Sequence, residues 1–436
     1  MNNTFQEFPF VPVMEQVIKQ LEFQEPTPIQ QQVIPAVLDG KSVIGQSKTG
    51  SGKSHAFLLP LLNGIDEDKN QVQAVITAPT RELATQLYDE VKKIVRYADK
   101  EGKWTAKLLV GGTDKQKMVE KLKQPPKIIV GTPGRILAMV KENAISIYSA
   151  NSFVIDEADL MLDLGFIQEV DQLLVRCHPD VQILVFSATI PQALQHFFKK
   201  YLQHPVHIKI ADEISPETME HRLIYLKHRE EATIIAEISK VIQPYLAIIF
   251  TNGKEKANEL AASLQGKGIE AGLIHGGLSP RERKRVLKEI QNLRYQYIVA
   301  TDLAARGIDI KGVSHVINAQ FPKEEDFYIH RVGRTARAGM EGTAISIYQS
   351  EDLPLIKKLE EKGLVFTYVD VRDGEWHAAK PWNQRSLRSK QGTDIDKEAW
   401  KRVKKAKKVK PGYKKKLQQE KEAIKKRLSK SKYKKR

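Results

Sequence analysis

The chain has 436 residues, 41% of them hydrophobic, which is enough for two core-bearing domains and a further arm. The single cysteine, Cys177, excludes an internal disulfide. No Cys/His spacing suggests a structural zinc, no apolar run approaches membrane-spanning length, and the opening Met1-Asn2-Asn3-Thr4 lacks the order of a signal peptide, so a cytoplasmic protein with no membrane partner is expected. The net charge of +17 is uneven. Residues 372–436 hold 25 Lys and Arg against 7 Asp and Glu, a net of +18, leaving 45 against 46, or −1, for residues 1–371. A near-neutral body with a cationic arm expects a polyanionic partner, most simply nucleic acid.

A helix-like run at 13–21 precedes a proline-stiffened loop, Glu22 to Gln30, whose spacing alone names no chemistry. An apolar run at 42–44 then enters Ser47-Lys48-Thr49-Gly50-Ser51-Gly52-Lys53-Ser54, and the apolar stretch 56–59 leaves it as an amphipathic helix would. Two glycines let successive amides point at phosphate oxygens, Lys53 can reach the β- and γ-phosphates, and the Ser54 hydroxyl can ligate Mg²⁺. The strict pattern asks for Gly where Ser47 stands, and a glycine-rich turn before an ordinary helix has the same composition. Buried-strand candidates follow at 72–77, 108–110 and 128–130. They end at Pro79-Thr80-Arg81-Glu82-Leu83-Ala84, at Gly111-Gly112 and at Gly131-Thr132-Pro133-Gly134-Arg135.

A further strand candidate, 152–155, runs into Asp156-Glu157-Ala158-Asp159. One carboxylate there can hold Mg²⁺ while its neighbour polarises a water for in-line attack on a γ-phosphate. The same acids would equally serve as the first turn of a helix at 160–166. Likewise 183–186 ends in Ser187-Ala188-Thr189, which alone would pass as a helix N-cap. After an expected linker at 209–221 the theme restarts: 246–250 ends at Thr251-Asn252-Gly253, 273–274 at His275-Gly276-Gly277, and 297–300 at Thr301-Asp302. Strands at 313–318 and 343–348 close the set. Between them lies His330-Arg331-Val332-Gly333-Arg334-Thr335-Ala336-Arg337, whose Arg334 and Arg337 stand one helical turn apart and can reach one anion; a solvated basic helix start is the other reading.

Strand, polar loop, helix, repeated twice, is the pattern of two α/β domains with doubly wound parallel sheets, whose ligands lie beyond the carboxyl ends of the strands. The expected division is domain 1 at 1–208, linker 209–221, domain 2 at 222–371 and a basic tail at 372–436. In the tail Trp376, Trp382, Trp400, Tyr413 and Tyr433 alternate with lysines, the composition of a sequence-tolerant RNA arm, although a solubilising charge run has the same net charge. Helical stretches at 397–409 and 414–428 have too few apolar residues to fold alone and would order on RNA.

Taken in order, PTPIQ with Phe5 and Phe23 upstream, the phosphate loop, PTRELA, the GG pair, TPGR, DEAD, SAT, HGG with Arg281 and Arg283, ATDLAARGID and HRVGRTAR resemble the DEAD-box family of ATP-dependent RNA helicases over residues 1 to about 370. GGTDKQK and KVKPGYKKK resemble its cold-shock members. The resemblance implies tandem RecA-like domains, ATP and Mg²⁺, and RNA as substrate, single-stranded or in short duplexes. It implies that Gln30 reads adenine, Phe23 stacks on it and Thr27 supports that loop. Ser47, Lys48, Thr49, Gly50, Ser51, Gly52, Lys53 and Ser54 then hold phosphates and metal, Asp156 is the Mg²⁺ carboxylate and Glu157 the base. Arg334 and Arg337 become arginine fingers, with Gly307 and Asp309 on the ribose side. Ser187 and Thr189, joined to Asp159 and His330, couple nucleotide to RNA. RNA contacts are implied for Arg81, Gly112, Thr132 and Arg135 in domain 1 and for Thr251, Gly277 and Thr301 in domain 2. Glu22, Lys48 and Ser54 depart from the family's usual residues without removing a functional group. The implied duty is local unwinding and remodelling of RNA or ribonucleoprotein in cold-shock RNA metabolism or ribosome assembly, with ribosomal particles or RNA-decay proteins as partners. An ATP-gated RNA clamp is the alternative, and a DNA helicase is disfavoured by the adenine-reading loop and the spelling DEAD.

Overall fold

Short runs of β-branched and aliphatic residues, bounded by polar loops, become the strands of two sheets. The computed structural model describes residues 4–47, 50–112, 114–210, 218–305, 310, 312–335, 341–381 and 424. The first sheet holds β1 (Val43–Gln46), β2 (Ala74–Thr77), β3 (Ala106–Leu109), β4 (Ile128–Gly131), β5 (Ser152–Ile155), β6 (Gln182–Ser187) and β7 (Val206–Lys209), in the order β3-β4-β2-β5-β6-β1-β7. All its neighbours are parallel. Alternation splits each strand between two cores. Val154 packs with Ile76, Val130 and Phe186 on one face, while Phe153 and Ile155 pack with Val75, Ile129 and Val185 on the other. Helices cover both faces, which is why these strands read as unbroken apolar runs.

The second sheet holds β8 (Met219–Tyr225), β9 (Ala247–Thr251), β10 (Ala271–Ile274), β11 (Tyr297–Thr301), β12 (His315–Asn318), β13 (Gly342–Tyr348), β14 (Phe366–Arg372) and β15 (Glu375–Ala378), in the order β10-β11-β9-β12-β13-β8-β14-β15. The expected architecture of two RecA-like doubly wound sheets is borne out. Most of both sheets lies in one unit, Met1–Thr367 with Val371–Trp376; Tyr368–Asp370 with His377–Arg436 forms a second. No helix among the described residues is long and apolar enough to cross a membrane. Cys177 is buried and its thiol pushed up to about 12 by that burial, so it is a core residue without nucleophilic character.

Three local expectations need correction. The acidic turn starts a helix at Ala158–Asp163, not 160–166, and Gly165 at φ 76° ends that segment before a second helix, Ile167–Leu174. Strands β7 and β8 take up Lys209 and Met219 to His221, the ends of the stretch expected as linker, whose middle at 211–217 lies outside the described residues. Strand β13 does not close the set, because β14 and β15 follow and carry the fold into the region expected as tail. Residues 366–378 hold one Arg against three Asp and Glu, and counting charge over 372–436 as one block drew part of this segment into the basic arm. Arg229 Nη1 donates to the Val371 carbonyl at 3.2 Å, and the Arg222 guanidinium lies 4.7 Å from the Trp376 ring centroid, so Trp376 belongs to the fold and not to a free arm. The expected tail helices, with Trp382, Trp400, Tyr413 and Tyr433, lie outside the described residues except for position 424.

Candidate active site

The carboxyl ends of the first sheet converge on one loop. Strand β1 delivers the chain into Ser47, and the helix Lys53–Asn63 leaves on the far side. Gly50 and Gly52 hold φ 85° and 95°, a left-handed backbone that favours glycine, and a side chain at Gly52 would meet the Gln30 amide at 2.8 Å. The loop is tied internally. Lys53, 6% exposed, donates Nζ–H to the Ser47 carbonyl at 2.6 Å, and the Ser47 and Ser51 hydroxyls are 2.6 Å apart. Lys48 and Thr49 lie outside the described residues.

The loop 22–30 packs directly against it. Thr27 begins the helix Pro28–Leu38 in a capping box: its amide donates to Gln30 Oε1 at 2.9 Å, and Gln30 Nε2 donates to the Gly52 carbonyl at 3.2 Å. Gln30 is thereby buried. Phe23 is half-buried and stacks on Phe5 with centroids 5.8 Å apart.

Beside the phosphate loop, β5 presents its acids. Asp156 is 3% exposed and its amide donates to the Thr77 carbonyl. Burial first, and the neighbouring Glu157 second, push its carboxyl up to about 7, against the pull of Lys53. Glu157 occupies the left-handed region at φ 50° as the N-cap of Ala158–Asp163, a conformation costing about 1–3 kcal/mol that clusters at functional sites. Asp159 is the hub of a network reaching the end of β6. Its Oδ2 accepts from Thr189 N at 3.0 Å and Thr189 Oγ1 at 3.1 Å, its amide donates to Ser187 Oγ at 3.1 Å, and His330 Nε2 stands 3.8 Å from Oδ2.

From the second sheet, Arg334 joins Gly50, Gly52, Lys53, Ser54, Asp156 and Glu157 around one cavity of about 850 Å³. Arg337, Gly307 and Asp309 lie outside the described residues. The residues expected at RNA form two groups, each on its own sheet. Arg81 lays its guanidinium against Gly111 and Gly112, where added side chains would come within 2.8 Å of it, and Thr132 N donates to the Leu109 carbonyl, setting Thr132 and Arg135 beside the same strand ends. In the second sheet Thr251 and Thr301 are register partners at the ends of β9 and β11, and Gly277 N donates to His275 Nδ1.

Sequence reasoning passed over Arg331. It is 1% exposed and donates to both oxygens of Asp302, at 2.5 and 2.7 Å, to Asn252 Oδ1, to Asn318 Oδ1 and to the Gln320 carbonyl, over the face of Phe250. Its neighbours Tyr328 and Val332 are buried, so helical periodicity placed residue 331 on the inner face. Also unforeseen is the ion pair of Glu82 with Arg283, 2.7 Å, in which Arg283 also donates to the Ala304 carbonyl.

Two family models match the chain: DEAD/DEAH box helicase over residues 27–197 and the helicase conserved C-terminal domain over 230–339. Among curated proteins, the chain is 50% identical over 433 residues to the DEAD-box ATP-dependent RNA helicase CshB of Bacillus subtilis, with 99% of each covered. It is 46% identical to CshB of Listeria monocytogenes, with 97% of each covered. Among solved structures it resembles S. cerevisiae Dbp5 bound to RNA and ADP BeF3, with a TM-score of 0.75 and 28% identity over 89% of this chain and 99% of that one. It also resembles Mss116p bound to ssRNA and AMP-PNP, with a TM-score of 0.73 and 26% identity over 92% and 86%.

Proposed function

The chain belongs to the DEAD-box family of ATP-dependent RNA helicases, and on that premise we propose how its residues divide the work of hydrolysing ATP and separating RNA strands. The observation that carries the reading is the single cavity bordered by the phosphate loop, Asp156, Glu157 and Arg334. Phosphoryl transfer needs positioning and electrostatic stabilisation more than covalent help, and these are the groups that supply both.

Lys53 is the ammonium for the β- and γ-phosphates, and the Ser47 carbonyl on which it rests keeps it in place. Gln30 and Phe23 meet the adenine, with Thr27 supporting them. Ser54 and Asp156 would hold Mg²⁺, which would supply charge neutralisation on the phosphates. The site fits that ion: Asp156 is buried and pushed toward its neutral form, and a divalent cation is what would restore the carboxylate. Glu157 takes a proton from the attacking water. Arg334 adds its charge from the second sheet, with Arg337, Gly307 and Asp309 as further contacts. The network of Ser187, Thr189, Asp159 and His330 links the state of the cleft to the RNA face. Single-stranded or short duplex RNA lies across Arg81, Gly112, Thr132, Arg135, Thr251, Gly277 and Thr301. The likeness to CshB supports a duty in cold-shock RNA metabolism; the proposed setting is the cytoplasm, with ribosomal particles or RNA-decay proteins as partners.

RNA-stimulated ATP hydrolysis by full-length Lys53→Ala tests the assignment. Turnover is expected to fall by about 10²–10³ in a protein that still folds. A folded Lys53→Ala protein within about threefold of wild type would refute the phosphate-loop reading.

A further inference from the structure

His55 follows Ser54 on the helix that leaves the phosphate loop and stands outside the residues assigned to ATP, Mg²⁺ and RNA. Its ring stands perpendicular to that of Phe23, at 88° with centroids 4.9 Å apart, while Phe5 stacks on Phe23 at 24°. Its Nε2 lies 3.3 Å from Glu90 Oε2 on the helix Arg81–Tyr97. His55 and Glu90 both border the cavity that holds Lys53, Ser54, Asp156 and Glu157. A continuous line of contacts therefore runs from Glu90 through His55 to the aromatic ring placed at the base of the nucleotide.

The side chains of His55 and Glu90 are 20% and 38% exposed, so the contact between them adds little to stability. What the pair does add is direction. A ring with a carboxylate 3.3 Å from one end has fewer open orientations, and an edge-to-face contact depends on orientation. Phe5 and His55 together constrain Phe23 from two rings set at different angles, which limits the tilt of a residue that is otherwise only half-buried. We infer that His55, oriented by Glu90, is a positioning residue that sets the Phe23 ring for the base of the nucleotide; this rests on the reading of Phe23 as the adenine-stacking residue. The consequence is selective: His55 acts on the base end of ATP and not on its phosphates, although it adjoins the phosphate loop in sequence.

Steady-state RNA-stimulated ATP hydrolysis by the full-length chain separates these ends, with Mg²⁺-tripolyphosphate, which has no base, as competitive inhibitor. His55→Ala is expected to raise KM for ATP about fivefold, the worth of one aromatic pair, with kcat and the tripolyphosphate inhibition constant each within about twofold of wild type. His55→Phe, which restores a ring against Phe23, should return KM to within about twofold. A parallel rise in KM and in the tripolyphosphate constant would mean that His55 shapes the phosphate loop, and the inference would fall; an unchanged KM would also overturn it. Phe23→Ala distinguishes the premise: if it leaves KM for ATP unchanged, the adenine reading of Phe23 fails and carries this inference with it. If Phe23→Ala raises KM while His55→Ala does not, only the inference fails.

Discussion

Two carboxylates at strand tips, Asp156 after the central strand β5 and Asp302 after β11, one strand in from the edge of its sheet, meet opposite fates. Asp302 is engaged by Nε and Nη2 of Arg331, a buried guanidinium that also ties Asn252, Asn318 and Gln320 together. Asp156 accepts the Glu157 amide and is pushed up to about 7 by burial and by Glu157, with Lys53 pulling the other way. One acid is consumed by the architecture. The other is kept short of positive charge, which is the condition for receiving it from a metal and a substrate. The same strand-loop-helix unit thus builds a scaffold in the second half and a reactive edge in the first.

The largest expected effect comes from the charge that the second half contributes. Arg334→Ala should lower kcat for ATP by about 10³ or more while ATP affinity holds, because a fingertip arginine acts on charge that develops in the transition state. Steady-state kinetics alongside nucleotide binding would show it, and parallel losses in both would place Arg334 in the ground state instead. Arg331 sharpens the contrast from the structural side. Arg331→Ala leaves Asp302 as an uncompensated carboxylate and should cost about 3–5 kcal/mol in urea unfolding, whereas a surface arginine would cost a fraction of that.

A smaller effect follows from His221 on β8, which is 4% exposed with Nδ1 2.9 Å from the Tyr328 hydroxyl. Burial lowers it to about 4 from 6.5. The folded state therefore favours the neutral ring; its contribution is complete above pH 6.5 and is lost as pH falls toward 4. Unfolding free energies at pH 7 and pH 5 should differ by about 2 kcal/mol more in the wild type than in His221→Gln. Equal pH dependence would mean that His221 is protonated inside the fold. The gentlest test concerns the arm. Because β15 extends to Ala378, removing residues 382–436 spares the sheet, and it should flatten the salt dependence of RNA binding by several units at about −0.7 per phosphate contact on single strands. Unchanged slopes would leave the arm's charge to solubility or to a protein partner.

Most of the first sheet was legible because fully buried parallel strands are short apolar runs and each ends in a polar signature. Ser47 to Ser54 and Asp156 were singled out at strand ends by their chemistry, whereas Ser187 alone would pass as a helix N-cap. Roles for Gln30 and Thr189 came only from resemblance, since a capping glutamine and an N-cap threonine look the same whether or not they serve a nucleotide. Arg331 was hidden among other arginines, for its significance lies in Asp302 and Asn252, distant in sequence. Strands β14 and β15 straddle the boundary set at Arg372 because charge was counted over 372–436 as one block, although residues 366–378 hold one Arg against three Asp and Glu. His55 and Glu90 are separated by a full strand and loop, and no local pattern joins them.

Release of a short RNA duplex, with protein sub-stoichiometric to RNA, asks most directly whether the cleft powers strand separation. Wild-type protein should release many strands per molecule with ATP and Mg²⁺ and none without nucleotide, and Lys53→Ala should release none in either case. Equal release without ATP, or by Lys53→Ala, would contradict the assignment of this cleft as the motor.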